Sequence, residues 1–545
     1  MRDKGTPHAM SDLRRHQGKR PQFWSKTLPD GAYDDIVIGS GMGGMTTAAF
    51  LAKLGRRVLV LEQHYVPGGF THTFRRKGYR WDVGVHAVGE VTPHSMTGRL
   101  LAQLTGGLEW RSLGPVYDEF HYPEGFRIDF PDSPQQFRAN LIEAFPDQEA
   151  SIDRYLDVVR DVAAAMKNYY VARTTPNRLA PLLDRTIARR AQKYLTQSTK
   201  EIVDGLTDDE RLRIILTSQW GYYGSPPARS SFAMQALVAK HFMWGGYYPV
   251  GGSQEIARGL LKTVADAGGW TVVNGDVEQI LIEGGRAVGV RLTDGRTARA
   301  KRVVSAAGVQ STVTRLLPPE HRDAQWSRGI EKLPPAPAHV CLYLGFKGDI
   351  REAGATAANK WFYEVWSSEA ETWRIEDPMN PGPAPILYTS FPSLKDPTHD
   401  PGPELRHTGE VVTFIPWEDF ERWKDTDWKK RGEDYDAFKD VLAERLKRQL
   451  LEHMPELEPM IDYAELSTPL STDHFVRPMA GSIYGLEPTP ERFENPWLRP
   501  RSPIDGLFMS GSEVATVGVI GAMMGGVLCA AAAEPLGAFN LMRRL

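Results

Sequence analysis

Apolar positions first fall into a regular pattern near residue 33. Ile36-Val37-Ile38 is a short uninterrupted apolar run, which predicts a buried strand. Gly39-Ser40-Gly41-Met42-Gly43-Gly44 follows at once, then a helix-like run to Leu54 that Gly55 ends. Val58 to Leu61 predict a second strand closing on Glu62. Much later, "TVVNGDVEQILIEGGRAVGVRLTDGRTARAKRVVSAAG" reads as short strands, with Gly284-Gly285 and Asp294-Gly295 as hairpin turns suited to positive φ. A last short strand, Leu507 to Met509, precedes a stretch without charge from Val514 to Ala533, where Thr516 is the one conventional polar side chain. That stretch has the length of a membrane span, and Gly521-x-x-x-Gly525 imitates a helix-dimer motif.

Strand, glycine turn, helix and second strand are the setting a dinucleotide fingerprint needs. Gly39 permits the tight turn, and Gly41 lets a pyrophosphate approach the backbone. Gly44 lets the helix pack close to the strand, and the helix N-terminus attracts phosphate. Met42 and Gly43 lie within the same turn. Glu62, 23 positions after Gly39, is placed to accept hydrogen bonds from the adenosine ribose and disfavours a 2'-phosphate. The fingerprint by itself leaves FAD and NAD both open.

Composition sets broader bounds. At 545 residues the chain is long for one core, so two or more domains are expected. A formal net charge of -3 gives no general reason to expect nucleic acid. Cys341 and Cys529 are the two cysteines, too few for a disulfide framework or a cysteine metal site, and they fit a reducing, cytoplasmic compartment. His, Asp and Glu show no local metal-binding spacing, and no G-x-S-x-G elbow is present. Residues 1–32 ("SDLRRHQGKR" among them) are polar and basic-leaning, without the apolar core of a signal peptide, and read as a loosely ordered leader.

"EQHYVPGGFTHTFRRKGYRWDVGVH" resembles the flavoprotein superfamily of bacterial-type phytoene desaturases, plant-type carotenoid cis–trans isomerases and retinol saturases. The ending Asp-Val-Gly-Val-His is more like the saturase and isomerase branch. "GGYYPVGGSQEIARGLLKTVADAGG", the strand-rich segment after it, and "GSIYGLEPTPERF" extend the resemblance. "GLFMSGSEVATVGVIGAMMGG" is similar to the superfamily's closing motif. The resemblance implies an α/β fold: a Rossmann-type FAD-binding domain of glutathione-reductase/amine-oxidase kind, with an interleaved α+β substrate domain. On this reading residues 33–91, 241–335 and 467–545 bind FAD. Residues 92–240, mainly helical, and 336–466, loop-rich between Pro378 and Pro403, bind substrate.

The same resemblance implies site residues. Gln63 accompanies Glu62, Gly68-Gly69 lie near the phosphates, and Asp82-Val83-Gly84 approaches the isoalloxazine. The Val277 backbone meets adenine, and Ala306-Ala307-Gly308 ends a strand beside the cofactor. Gly511 follows the last strand, and Glu513 takes the place of a ribityl-binding Asp. Gly518, Gly521 and Ala522 open a helix whose positive end faces the flavin. The C-terminal apolar stretch is then an internal helix and not an anchor.

The implied chemistry is hydride exchange at flavin N5 on a carbon–carbon double bond of a hydrophobic polyene, isoprenoid or lipid-like substrate. Saturation, desaturation and cis–trans isomerisation all remain open, as does the electron partner. His86 is the first candidate for proton handling, although a histidine ending a buried strand is often only a satisfied core residue. Tyr484 and His474 are secondary candidates. His64 and His72 are read as hydrogen-bonding around the phosphates or as chemically idle. Asn177 to Leu195 mixes leucines with Arg185, Arg189, Arg190 and Lys193. It reads either as a helix making peripheral contact with the inner face of a membrane or as an ordinary basic surface helix. Two further readings stay open: an amine-oxidase-like flavoenzyme, and a non-catalytic escort of prenylated proteins with a related fold.

Overall fold

The Tyr33–Ile38 strand lies inside a parallel sheet, between Val58–Glu62 and Thr297–Ser305. Both of its faces are covered, which is why its apolar run is continuous and not alternating. The computed structural model describes residues 22–176, 180–367 and 371–545. Most of the expected leader and Asn177 to Leu179 therefore lie outside the described residues.

On one side the sheet continues through Val58–Glu62 and Trp270–Val273 to Trp24–Ser25, all parallel. Trp24 and Ser25 thus correct the reading of residues 1–32 as a wholly loose leader, because they add an edge strand. On the other side Thr297–Ser305 pairs with Leu507–Met509 through its C-terminal half and with the antiparallel Arg286–Leu292 through its N-terminal half, and Val277–Glu283 pairs in turn with Arg286–Leu292. Both expected hairpin turns form, with Gly284, Gly285 and Gly295 at positive φ.

A second sheet runs in the order Ile461–Ser467, Ala338–Lys347, Arg406–Ile415, Ile386–Ser390, Asn359–Tyr363, Val116–His121, Arg127–Pro131. Only the Asn359–Tyr363/Val116–His121 pairing is parallel. Two of its strands come from the segment expected to be mainly helical, and that segment's long helices, led by Glu149–Arg173, pack beside them. Within the proline-dotted stretch, Ile386–Ser390 is a fully buried strand and Pro392–Lys395 a short helix.

The apolar C-terminal stretch is the Gly518–Ala533 helix. It packs along the fingerprint helix Met42–Lys53, and its glycines are there for contact. A Cβ on Gly525 would stand 1.9 Å from the Gly511 carbonyl oxygen, and one on Gly526 would stand 2.5 Å from that of Gly43. Thr47 Oγ1 lies 2.8 Å from Ser510 Oγ in the same seam. The glycines that imitate a membrane-dimer motif are therefore packed inside the protein, Gly521 on the Thr516 carbonyl and Gly525 on that of Gly511, while Gly526 meets the fingerprint helix. Among the described residues no helix is long and apolar enough to cross a membrane. At the far end of the helix, Arg302 holds the buried Asp35 (2.6 Å) and Glu534 (2.7 Å), tying sheet to C-terminus.

Candidate active site

The fingerprint turn, the Val277 region, the end of Thr297–Ser305 and the last strand converge on one open cavity of about 1160 Å³. Gly39, Gly41, Gly43, Glu62, Gln63, Val277, Ala306, Gly308, Gly511, Glu513, Ala522 and Tyr484 all line it. Gly41 caps the Met42–Lys53 helix without a side-chain acceptor, so the first-turn amides have no capping partner at the cavity. A Cβ at Gly41, Gly511 or Gly518 would meet nothing within 4 Å. Glycines with open space before them, at a helix N-terminus, fit a pyrophosphate.

Other expected residues act one layer back. A Cβ on Gly44 would stand 2.1 Å from the Gly39 oxygen, so this glycine serves close packing. Met42 is buried beside it. Gly69 abuts Gly41, and the Gly68 amide donates to Ser40 Oγ (3.1 Å), which joins both glycines to the turn. Gly521 packs on the Thr516 carbonyl. Glu62 is buried and accepts from Ser40 N (2.9 Å), Ser40 Oγ (2.6 Å) and His64 N (2.7 Å). Glu513 accepts from the amides of Leu486 (3.0 Å) and Val309 (2.5 Å), and burial pushes its carboxyl up. Its extra methylene relative to Asp is spent on bracing two loops at the cavity wall. The sequence reading did not single out Asp276, Arg315 or Met479, which also line the cavity.

His86 does not line that cavity. It stands just behind it, at the meeting of the two sheets. Gly84, two residues earlier, packs on Phe70, a cavity residue, and the His86 ring lies 5.3 Å from Tyr388. Tyr388 in turn contacts Trp361 (4.5 Å) and Tyr222 (6.0 Å), so an aromatic cluster adjoins the imidazole. His86 Nδ1 is 2.7 Å from Glu410 Oε2. Glu410 Oε1 accepts from the Asp82 amide (3.0 Å). Asp82 accepts from Ser253 N (3.1 Å), from Ser253 Oγ and from Tyr248 OH. Lys395 Nζ donates to His86 O (2.8 Å), Asn359 Oδ1 (2.5 Å) and Ser390 Oγ (2.7 Å). Asn359 and Tyr222 both donate to Asp118.

Burial dominates the electrostatics here. It lowers the His86 imidazole to about 3, with the Lys395 charge adding to the effect. It raises Glu410 to about 8 against the pull of Lys395, and Asp118 to about 6 against hydrogen bonds from Asn359 and Tyr222. Lys395 falls to about 8, held up by Glu410, Asp118 and Asp82. Sequence reasoning missed Lys395, Glu410, Asp118 and Asn359. They lie on the second sheet and in the proline-dotted stretch, with no local motif to mark them.

The remaining candidates are placed apart from this cluster. Tyr484 borders the cavity, and its hydroxyl donates to the Gly221 carbonyl (3.1 Å). His474 stacks on Trp428 at 4.9 Å and does not line the cavity. His64 and His72 sit 5.1 Å apart behind the fingerprint turn, and burial lowers His72 to about 4. Among the described residues no His, Cys, Asp and Glu cluster could hold a metal ion.

A dinucleotide cradle on a parallel sheet, with an aromatic-lined substrate domain beside it, defines a flavin-dependent oxidoreductase. Residues 42–533 match the flavin-containing amine oxidoreductase family, and the chain belongs to it. Its cofactor is FAD. The chain is 31% identical over 529 residues to an all-trans-retinol 13,14-reductase of Danio rerio, covering 93% of this chain and 86% of that one. It is 26% identical to a chloroplastic prolycopene isomerase of Daucus carota, covering 91% and 79%. In fold it is similar to putrescine oxidase bound to putrescine, with a TM-score of 0.60 at 16% identity, covering 93% of this chain and 100% of that one.

Proposed function

We propose that this enzyme adds hydrogen across a carbon–carbon double bond of a hydrophobic isoprenoid polyene. The observation that carries the reading is His86. Its Nε2 makes no hydrogen bond among the described residues, and its ring sits between the cofactor cavity and the cluster of Tyr222, Trp361 and Tyr388. Aromatic walls suit a substrate without ionisable groups, and one imidazole edge suits the single proton such a reaction needs. The likeness to a retinol reductase across nearly the whole chain supports the same reading.

In this proposal Gly41, Gly43 and the amides of the Met42–Lys53 helix receive the pyrophosphate, and Gly68-Gly69 support that turn. Glu62, with Gln63 beside it, holds the adenosine ribose, and Val277 faces adenine. Ala306, Gly308, Gly511 and Glu513 border the ribityl chain, and Gly518 to Ala522 present a helix N-terminus to the flavin. When bound, FAD supplies the hydride. His86 supplies the proton, and Tyr484 shapes the wall. The likeness to a prolycopene isomerase favours cis–trans isomerisation as a second reading. We also read the exposed Leu182 and Ile187, close to Arg185 and Arg189, as a peripheral contact with an anionic membrane face on the cytoplasmic side.

The test is anaerobic incubation of FAD-loaded protein, reduced with dithionite, with all-trans-retinol, followed by mass analysis. A product heavier by two hydrogens is expected. An isomer of unchanged mass would establish the second reading. Oxidation of amines, with no change to any polyene, would overturn both.

A further inference from the structure

We propose that Glu410 and Lys395 form, with His86, a relay that delivers a proton to the substrate carbon next to the one receiving hydride. This rests on the polyene-reductase reading and assigns two residues to its chemistry. The geometry is a buried cluster satisfied from within at Lys395 and Asp82, with His86 Nδ1, Glu410 Oε2 and Asp118 Oδ2 left without other hydrogen-bond partners. The Lys395 ammonium has three acceptors for its three protons: His86 O, Asn359 Oδ1 and Ser390 Oγ. Asp82 is filled by Tyr248 and Ser253, and Glu410 Oε1 by the Asp82 amide. Glu410 Oε2 meets His86 Nδ1 at 2.7 Å. His86 Nε2 makes no hydrogen bond among the described residues, on a side chain that is 15% exposed.

Chain connectivity does not account for such a cluster. Its members come from residues 82–86, 118, 359, 390–395 and 410. Replacing buried ionic groups by apolar ones is often neutral or stabilising, so packing alone gives no reason to keep it. A perturbed cluster opening on one edge toward a substrate room is the arrangement proton handling requires.

The charge balance defines the resting state. Glu410 is faced by Asp82, which ends a two-stranded hairpin, by His86 just after it, by Cys341 and Tyr343 on the neighbouring strand, by Tyr388, and by Tyr248. Lys395 is the one cation among these groups at neutral pH, since burial keeps His86 and His339 neutral. One lysine cannot balance Asp82, Asp118 and Glu410 together, so Glu410 keeps its proton. In the step, the His86 Nε2–H bond breaks as a C–H bond forms with the electron pair left by hydride addition to the neighbouring carbon. The Glu410 Oε2 proton moves to His86 Nδ1. His86 ends neutral in its other tautomer, and Glu410 ends as a carboxylate near Lys395, to be reprotonated from solvent. The two electrons arrive with the hydride, and an external two-electron reductant, dithionite in the test, regenerates its source. His86 is the catalytic residue. Glu410 and Lys395 act through it.

The first test needs no substrate. Infrared titration of the FAD-loaded protein should show a buried protonated carboxyl that disappears with a midpoint near pH 8. Glu410→Gln should abolish the band, and Lys395→Met should move the midpoint upward, because the cation that favours ionisation is gone. A band that survives Glu410→Gln overturns the relay, as does a midpoint that Lys395→Met leaves in place. The second test is a single turnover of dithionite-reduced protein with all-trans-retinol in deuterium oxide. Two deuteriums should enter the product, because dithionite supplies only electrons and the transferred hydride also takes its hydrogen from the solvent, and His86→Gln should slow the step by about 10²–10⁴-fold while leaving the infrared titration visible. This variant keeps a hydrogen-bonding side chain and so remains informative if Lys395→Met does not fold. His86→Gln at wild-type rate overturns the relay. A normal titration without any polyene reduction by the wild type overturns the reaction reading, and the relay's substrate step with it.

Discussion

Gly41 and Gly525 look equivalent in the sequence, yet the structure assigns them opposite costs. Gly41 has φ -66° and ψ 172°, a conformation alanine adopts without strain, and its Cβ would meet no protein atom within 4 Å. The apoprotein carrying Gly41→Ala should be as stable as wild type, or stiffer by about 0.4–1 kcal/mol through the unfolded state. The proposed function puts the pyrophosphate in the empty space before Gly41. A methyl group there should weaken FAD binding by about 10–100-fold, or about 1.4–2.7 kcal/mol. Gly525→Ala should do the reverse. Its Cβ starts 1.9 Å from a backbone oxygen and needs at least 3.0 Å, so helix and turn must part by more than an ångström. Overpacking of this kind costs about 1–3 kcal/mol, and rigid backbone on both sides argues for the upper end. Thermal melts of the two apoproteins, with FAD fluorescence titrations alongside, separate the effects. Wild-type FAD affinity in Gly41→Ala would refute the placement of the phosphates. A wild-type melting temperature in apo Gly525→Ala would refute the packing argument.

Other perturbations follow from the same contacts. Asp118, raised to about 6 by burial, holds its proton more tightly in the folded than in the unfolded chain. Its contribution is therefore complete below about pH 4 and lost as pH rises through 6, on the order of 3 kcal/mol. Asp118→Asn should remove that slope in urea unfolding measured across the pH range. Arg302→Met strands the fully buried Asp35 and should cost about 3–5 kcal/mol in the same assay. Tyr484→Phe loses one hydroxyl donation to Gly221, so about 1 kcal/mol of stability should go while turnover stays within a few-fold of wild type. His474→Ala should leave single-turnover rates unchanged, since the ring stacks on Trp428 outside the cavity.

The sequence announced the cofactor half of this enzyme. Gly39, Gly41, Gly44 and Glu62 carry their meaning within one strand–turn–helix–strand unit, so spacing alone exposes them. Glycine pairs place the hairpins for the same reason, because a positive φ is a local demand. The apolar run from Val514 to Ala533 was legible as a helix. Its burial was also legible from the resemblance, but its partner, the Gly43 and Gly511 backbone, lies elsewhere in the chain.

The buried polar cluster was not legible beyond His86. Trp24 and Ser25 read as leader until Trp270–Val273 offered them an edge. Lys395 sits in a stretch whose prolines mark it as loop, and Glu410 and Asp118 are single acids on strands with no motif around them. What perturbs them is mutual burial, which raises two carboxyls and lowers a lysine and a histidine. Desolvation is a property of surroundings that come from five separate segments. The sequence by itself determined a dinucleotide cradle and singled out one imidazole, which the structure places behind the cavity and not in its wall. Only the tertiary structure decided that a lysine and a glutamate stand behind that imidazole, because charge burial exists only after distant segments have met.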